Sequence, residues 1–112
     1  ECVLITGCDS GIGRNTAIQL VKEGFTVFGT CYSDNSFEGL EKECVGKGVL
    51  VPFQVDITNE DSVKALSDLV EKELTYGNNR RLISIVNNAG VLTNGPLEMQ
   101  PMRSIIHQFD VN

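Results

Sequence analysis

Several features that mark other classes of protein are missing from this 112-residue sequence. Its four cysteines include no Cys-x-x-Cys pair and its one histidine, His107, has the pattern of a helix-surface residue, so we expect neither a metal site nor a disulfide framework. The longest apolar runs, residues 2–5 and 49–53, are far shorter than the roughly twenty residues that a membrane span needs. Eleven glycines, three prolines and 41% hydrophobic residues also exclude collagen-like, low-complexity and disordered chains.

Basic residues are few as well. Nine lysines and arginines stand against fifteen acidic residues, which gives a formal net charge of −6. This charge repels nucleic acid and anionic membrane surfaces at long range, so we expect neither as a partner. Reduced cysteines are typical of a reducing compartment, which predicts a cytoplasmic protein. The sequence opens almost directly on an apolar run, so we expect any targeting segment or membrane anchor to lie upstream.

Strand and helix patterns alternate along the whole sequence. Short β-branched apolar runs predict strands over residues 2–6, 25–31, 49–55 and 82–86. Helices are predicted over 11–24 and 37–45, from near residue 59 after a capping box of Thr58 and Asp61, and from residue 99 onward. A polar connection over 76–81 precedes the fourth strand. The last two helices carry apolar stripes that we expect to be buried: Val63, Leu66, Leu69, Val70 and Leu74, and then Met102, Ile105, Ile106 and Phe109.

This order of elements predicts the fold class. Strands without polar alternation, each followed by a helix, indicate a parallel sheet that is covered on both faces. The expected fold is an α/β, doubly wound, Rossmann-like sheet in a single domain. The helical pattern continues to Asn112 with no glycine or proline to end it. We therefore expect residues 1–112 to be the N-terminal half of a larger domain.

A glycine-rich segment, Thr-Gly-Cys-Asp-Ser-Gly-Ile-Gly at residues 6–13, lies where the first strand meets the first helix. In a doubly wound sheet, dinucleotides bind at this junction. Gly7 permits a tight turn, Gly11 lets the backbone approach a diphosphate, and Gly13 allows the helix to pack closely on the strand. The plainer alternative is a flexible turn, in which Asp9 is a turn residue and Ser10 caps the helix.

The Gly-x-x-x-Gly-x-Gly spacing of this segment, together with Asn-Asn-Ala-Gly at residues 87–90, resembles the short-chain dehydrogenase/reductase family. The resemblance extends over the whole sequence, and residues 7–14, 55–58 and 61–63 are similar to the branch of retinol and hydroxysteroid dehydrogenases. It implies an oxidoreductase that transfers a hydride between a nicotinamide cofactor and a secondary alcohol or ketone, with retinoids and steroids as candidate substrates. It also implies a homo-oligomer that pairs through the fourth helix.

The resemblance assigns roles to individual residues. Asp56 resembles the acceptor of the adenine amino group, with Ile57 beside the ring, although a carboxylate near a helix N-terminus is favourable without a ligand. Residues 87–90 resemble the wall of the adenosine pocket, or else a simple asparagine turn. Asn112 resembles the family's catalytic asparagine, whose backbone holds a water in a proton relay; a chance final residue is the alternative. The cofactor-binding residues implied are Thr6, Gly7, Asp9, Ser10, Gly11, Ile12, Gly13, Cys31, Asp56, Ile57, Asn87, Ala89 and Gly90.

The choice between NAD and NADP depends on the end of the second strand. An acid there binds the ribose hydroxyls, whereas a basic residue binds the additional phosphate of NADP. The family's acid falls at about Cys31, so the expected carboxylate is missing; Asp34 follows three residues later, and Arg14 is a basic residue within reach of a phosphate. Because residues 25–40 contain acids and no lysine or arginine, the prediction is NAD, with NADP as the open alternative.

The family's catalytic Tyr-x-x-x-Lys is also missing. The two tyrosines are Tyr32 and Tyr76, and the residues four positions later are Ser36 and Arg80. An arginine does not titrate usefully near neutral pH. We therefore expect residues 1–112 alone to be inactive, with the catalytic residues in a later part of the protein. A catalytically silent nucleotide-binding regulator or scaffold of the same fold is the alternative function, and a purely structural α/β domain is a third.

Overall fold

Four parallel strands form one sheet in the computed structural model, which describes residues 1–76 and 79–112. The strands are β1 (Cys2–Ile5), β2 (Thr26–Cys31), β3 (Val49–Gln54) and β4 (Leu82–Val86). Their order across the sheet is β3-β2-β1-β4, and each adjacent pair is parallel. The predicted doubly wound α/β sheet is confirmed.

A helix follows each strand. No described helix combines the length and the apolar character that crossing a membrane requires. The second helix begins and ends two residues before its predicted bounds, because the N–H groups of Ser36 and Phe37 already close a turn with the carbonyls of Ser33 and Asp34. The polar connection predicted over 76–81 includes residues 77 and 78, which lie outside the described residues. The helices are α1 (Gly11–Glu23), α2 (Asn35–Glu43), α3 (Glu60–Tyr76) and α4 (Met102–Val111), with a short 3-10 helix (Leu97–Met99) before α4.

The central strands are buried on both faces. Alternate side chains along a strand point to opposite sides of the sheet, so β1 and β2 contribute to two separate cores. One core packs the sheet against α1 and α2, and the other packs it against α3. This burial explains why the strands show no polar alternation. The first core includes Val3, Ile5, Ala17, Val21, Val27 and Leu40, and the second includes Cys2, Phe28, Leu66 and Val70.

The start of α3 differs from the predicted capping box. Asn59 caps the helix, because its Oδ1 accepts a hydrogen bond from the N–H of Ser62 at 3.0 Å. The hydroxyl of Thr58 donates to the carboxylate of Asp56 instead. The predicted pairing of Thr58 with Asp61 is therefore wrong, although the predicted start of the helix is right to within one residue.

Part of each predicted apolar stripe is exposed. In α3, Leu66 and Val70 are buried, but Val63 lies exposed in the first turn and Leu69 lies exposed at the side of the buried face. In α4 no residue is buried, and the side chain of Phe109 is 80% exposed. The predicted burial of the stripe is wrong for Met102, Ile106 and Phe109, which are exposed, whereas Ile105 is half-buried.

The edge strand β4 shows the same departure from expectation. Its sequence is apolar, yet Ile83 and Ile85 are exposed. β4 pairs with β1 on one side, and no other described strand pairs with its second side. An apolar strand at an uncovered edge is a surface on which another element packs or pairs.

Candidate functional site

The glycine-rich loop lies between β1 and α1 at the carboxyl edge of the sheet. Gly7 and Gly11 have φ angles of 72° and 60°, which residues with a side chain rarely adopt. A Cβ on Gly13 would overlap the carbonyl oxygen of Gly7 and the side-chain amide nitrogen of Asn88. A Cβ on Gly11 would meet no atom of the described residues within 4 Å. The geometry fits a turn at Gly7 and close packing at Gly13, and it leaves open space at Gly11.

Strand β2 holds one side of this loop. The N–H of Cys8 donates to the carbonyl of Thr30 at 2.7 Å, and the N–H of Gly7 donates to the Thr30 hydroxyl at 3.4 Å. Thr30 is buried, so water does not compete for these contacts. Burial also raises the pKa of the Cys8 thiol to about 12, which keeps the thiol neutral and unreactive.

The turn after β4 holds the other side of the loop. Thr6 Oγ1 accepts hydrogen bonds from the N–H groups of Asn88 and Ala89, both at 3.0 Å. The side-chain amide of Asn88 donates to the carbonyl oxygens of Thr6 and Gly7 at 2.9 and 3.0 Å. These contacts join the two sequence motifs directly. Asn88 belongs to the segment 87–90 that was expected at the adenosine pocket, but no separate role was predicted for its side chain.

A cleft of about 450 Å³ opens over the carboxyl ends of the strands. It is bounded by segments that follow all four strands, because the carboxyl ends of parallel strands share one edge. Eight of the predicted site residues line it: Gly7, Asp9, Ser10, Ile12, Asp56, Ile57, Ala89 and Gly90. Six others lie outside the lining: Thr6, Gly11, Gly13, Cys31, Asn87 and Asn112.

The cleft also contains residues that sequence reasoning did not assign to it. Tyr32 is 71% exposed, and the predicted residue Ile12 is 78% exposed. Apolar groups left open to solvent in a concave site are typical of ligand pockets. His107 is exposed as expected, but it also lines the cleft; its i, i+4 spacing from Val111 was the available signal. Asn88 lines the cleft as part of the expected segment 87–90. The other unassigned lining residues are Thr30, Val55, Val91 and Val111.

Asp9 and Ser10 differ in what their side chains do. The two carboxylate oxygens of Asp9 accept hydrogen bonds from the N–H groups of Tyr32 and Ser33 at 3.0 and 3.1 Å. Asp9 is therefore more than a turn residue, because it ties the glycine loop to the segment after β2. Ser10 occupies the N-cap position of α1, but its hydroxyl makes no capping hydrogen bond within the described part of the chain. That hydroxyl is free to contact a ligand.

Cys31 and Arg14, which were considered for the choice between NAD and NADP, have different surroundings. Cys31 is fully buried, and burial raises the pKa of its thiol to about 11. Its side chain therefore offers neither a charge nor access to the cleft. The guanidinium of Arg14 binds the carboxylate of Glu43 at 3.2 and 3.4 Å and the carbonyl of Asp9 at 3.5 Å. Arg14 thus links α1 to α2.

Asp56 stands at the cleft just after β3. Its Oδ1 accepts hydrogen bonds from the hydroxyl and the N–H of Thr58, at 2.6 and 2.9 Å. Hydrogen bonds to the ionised form favour it, so the pKa of the Asp56 carboxyl is lowered, first by the Thr58 hydroxyl and then by the Thr58 N–H. The carboxylate is therefore ionised at neutral pH, and its second oxygen is available to a donor.

Thr58→Val is expected to raise the pKa of Asp56 towards its ordinary value, because the hydroxyl that stabilises the carboxylate is lost. A lowered folded-state pKa contributes stability that is present above the unfolded pKa and disappears as the pH falls through the folded value. As the pH falls from the unfolded pKa through the folded pKa of Asp56, the variant should therefore lose less stability than the wild type. Carboxyl carbon NMR titration measures the pKa directly. Thr58→Ser keeps the hydroxyl and should titrate like the wild type; equal Asp56 pKa values in wild type and Thr58→Val would contradict the assignment.

Asn112 lies outside the cleft lining and holds the segment after β4. Its Oδ1 accepts a hydrogen bond from the N–H of Val91 at 2.8 Å, and its Nδ2 donates to the carbonyl of Val91 at 3.0 Å. The side-chain amide thus makes two hydrogen bonds with the backbone of one residue, as a residue in a neighbouring strand can do. These bonds fix the segment that follows Gly90 against the end of α4.

Known proteins resemble this chain in sequence and in structure. The family model described as short chain dehydrogenase matches residues 1–112. A 3beta-hydroxysteroid dehydrogenase of Caenorhabditis elegans is 37% identical over 115 aligned residues, which cover 98% of this chain and 29% of that protein. Retinol dehydrogenase 16 of Mus musculus is 34% identical, over 98% of this chain and 33% of its own length.

A solved structure shares the fold. The crystal structure of a metagenomic short-chain oxidoreductase in complex with NADP matches with a TM-score of 0.83 at 26% identity, and the match covers 99% of this chain and 49% of that one. The chain thus spans about a third of the length of the curated relatives and about half of this structure.

Proposed function

Because the chain belongs to the short-chain dehydrogenase family, we propose that it is the cofactor-binding part of an NAD- or NADP-dependent oxidoreductase. One observation carries the proposal: the glycine loop, the N-terminus of α1 and the segments after all four strands meet in a single cleft. A doubly wound sheet binds dinucleotides at this edge. The proposed reaction transfers a hydride between the nicotinamide and a secondary alcohol or ketone.

The residues at the cleft fit a dinucleotide. The first N–H groups of α1 lack partners within the helix and favour an anion. The open space at Gly11 leaves room for a diphosphate beside them, and the Ser10 hydroxyl is not used for capping among the described residues. Asp56 offers a carboxylate oxygen to the adenine amino group, and Ile57 offers an apolar contact to the ring.

When bound, the nicotinamide supplies the hydride chemistry, and these residues bind and orient it. Thr6 and Asn88 act as positioning residues, because their hydrogen bonds hold the glycine-rich loop against the turn after β4. Asn112 is likewise a positioning residue of this chain, since its side chain fixes Val91 at the edge of the cleft. We assign the proton relay that the resemblance suggests to its backbone.

The remaining catalytic residues are proposed to lie outside residues 1–112. The sequence contains no Tyr-x-x-x-Lys, and the chain spans about a third of its curated relatives. These relatives are named hydroxysteroid and retinol dehydrogenases, which supports an apolar alcohol or ketone such as a steroid or a retinoid as substrate. The exposed stripe of Met102, Ile106 and Phe109 supports pairing of α4 with a second copy of the protein.

The proposal predicts that the intact protein binds NADH, with a saturable change in nicotinamide fluorescence. Gly11→Ala should raise the Kd by about tenfold, since a methyl group would fill the space beside the diphosphate and strain a backbone that prefers glycine. Fluorescence titration measures both Kd values, and thermal unfolding verifies that the variant is folded.

Gly95→Ala is the matched control. Gly95 also has a positive φ, of 135°, and open surroundings within the described residues, but it lies far along the chain from the glycine-rich loop and from the N-terminus of α1. This variant should bind NADH like the wild type. Absence of a saturable signal with both NADH and NADPH up to about 1 mM would overturn the proposed function. An equal loss of affinity in both variants would remove Gly11 from the diphosphate site.

A further inference from the structure

We propose that Asp9 selects NAD against NADP, in place of the acid that is missing at the end of β2. This inference rests on the function proposed above and adds the residue that sets cofactor choice. Asp9 belongs to the loop after β1, so neither its position in the sequence nor a motif at the end of β2 indicates the role.

The carboxylate of Asp9 is fixed at the end of β2. It accepts hydrogen bonds from two successive backbone N–H groups, those of Tyr32 and Ser33, at 3.0 and 3.1 Å. Both Asp9 and Tyr32 line the cleft. A negative charge therefore stands where the sheet discriminates between the two cofactors, although residue 31 itself is a buried cysteine.

Two successive N–H groups that converge on one point form a position that binds anions. Asp9 already occupies this position. A free ribose hydroxyl can donate a hydrogen bond to the remaining lone pairs of the carboxylate. A phosphate on the same ribose would compete for the two N–H groups and would be repelled by the carboxylate charge. The arrangement favours the cofactor without the phosphate.

The cation that contacts Asp9, the guanidinium of Arg14, is paired with another carboxylate. It donates to the backbone carbonyl of Asp9 at 3.5 Å and to Glu43 at 3.2 Å, and its side chain is only 20% exposed. Residues 25–40 contain no lysine or arginine that could neutralise a phosphate. Asp34 lies at the N-cap of α2 and outside the lining of this cleft, so its carboxylate is not positioned as that of Asp9 is.

Asp9→Asn tests the inference, because it removes the charge and keeps the size and one acceptor oxygen. The dissociation constants of NADH and NADPH are measured by fluorescence titration of the intact protein, and those of NAD and NADP by calorimetry. The wild type should bind NADH more tightly than NADPH. In Asp9→Asn the ratio of the NADPH dissociation constant to the NADH dissociation constant should fall by about tenfold. Asp34→Asn, which removes a carboxylate from the segment after β2 that contains Tyr32 and Ser33, should keep the wild-type ratio.

The outcomes separate the two proposals. If the wild type binds neither dinucleotide, the proposed function fails and the inference fails with it. If the wild type binds dinucleotides but Asp9→Asn keeps its ratio, or if the wild type prefers NADPH, only the inference is overturned. Should Asp9→Asn not fold, competition of ADP and adenosine 2′,5′-bisphosphate against NADH in the wild type decides: ADP must compete more strongly, and equal or stronger competition by the bisphosphate overturns the role of Asp9.

Discussion

Gly13→Ala is expected to lower the free energy of unfolding of the intact protein by about 3 to 5 kcal/mol, as measured by urea denaturation. Alanine is the better helix former by about 1 kcal/mol, so intrinsic propensity favours the variant. Packing opposes it more strongly, because the new Cβ would overlap the Gly7 carbonyl oxygen and the Asn88 amide. Relief of that overlap requires α1 to move from β1 or Asn88 to lose its hydrogen bonds.

Gly39→Ala is the matched control for this substitution. Gly39 also lies inside a helix, and the nearest atom to its added Cβ is the flexible end of Arg14 at 3.0 Å. This variant should change the free energy of unfolding by no more than about 1 kcal/mol, because the side chain can move. If the two alanine variants had equal stability, the close packing at Gly13 would not contribute as the geometry indicates.

Thr6→Val is expected to cost about 2 to 4 kcal/mol of stability, because two partly buried N–H groups lose their shared acceptor. Valine has nearly the same shape as threonine, so the loss reports the hydroxyl and not the packing. The glycine loop should also become looser, which hydrogen exchange at Asn88 and Ala89 would detect as faster exchange. Urea denaturation gives the stability change.

Thr6→Ser retains the hydroxyl and should recover most of the stability that Thr6→Val loses. Wild-type stability in Thr6→Val would show that water or another group replaces the hydroxyl as acceptor. Slow exchange at Asn88 and Ala89 in that variant would lead to the same conclusion.

The sheet was predictable because its information is local. Short β-branched runs specify β1 to β4, and the absence of polar alternation specifies a sheet covered on both faces. The glycine loop was predictable for the same reason, since Gly7 and Gly13 need a turn and a close contact whatever their neighbours are. The position of the cleft followed from the parallel order.

The contacts that complete the site were not predictable in this way. Asn88 and Thr6 meet only because β4 lies beside β1, and Asp9 meets Tyr32 only because the loop folds over the end of β2. A side chain that hydrogen-bonds to backbone groups far away in the sequence is not indicated by any pattern among its neighbours. The prediction of the capping box was wrong for a related reason. Thr58 has two possible partners, and its hydroxyl donates to Asp56 in the preceding turn and does not cap α3.

The apolar stripe of α4 shows the limit of hydrophobic pattern as a guide to burial. The pattern predicted the helix, but α4 begins at Met102, three residues after the predicted start at residue 99, because Pro101 stands at its N-cap in an extended conformation. It did not predict the exposure of Ile106 or Phe109, because a pattern shows that a face is apolar without showing what covers it. The same holds for Ile83 and Ile85 in β4.

The hydrogen bonds between Thr6 and the turn after β4 also set an order of events during biosynthesis. The N–H that Thr6 accepts from Asn88 belongs to a residue 82 positions later. A ribosome adds about 5 to 20 residues per second, so Thr6 is made about 4 to 16 s before its partner. For most of that interval the nascent chain contains the glycine-rich loop and its partners in and after β2, but it lacks Asn88 and Ala89, which hold the other side of the loop. The glycine-rich loop therefore acquires its full set of hydrogen bonds only after the turn that follows β4 has been translated.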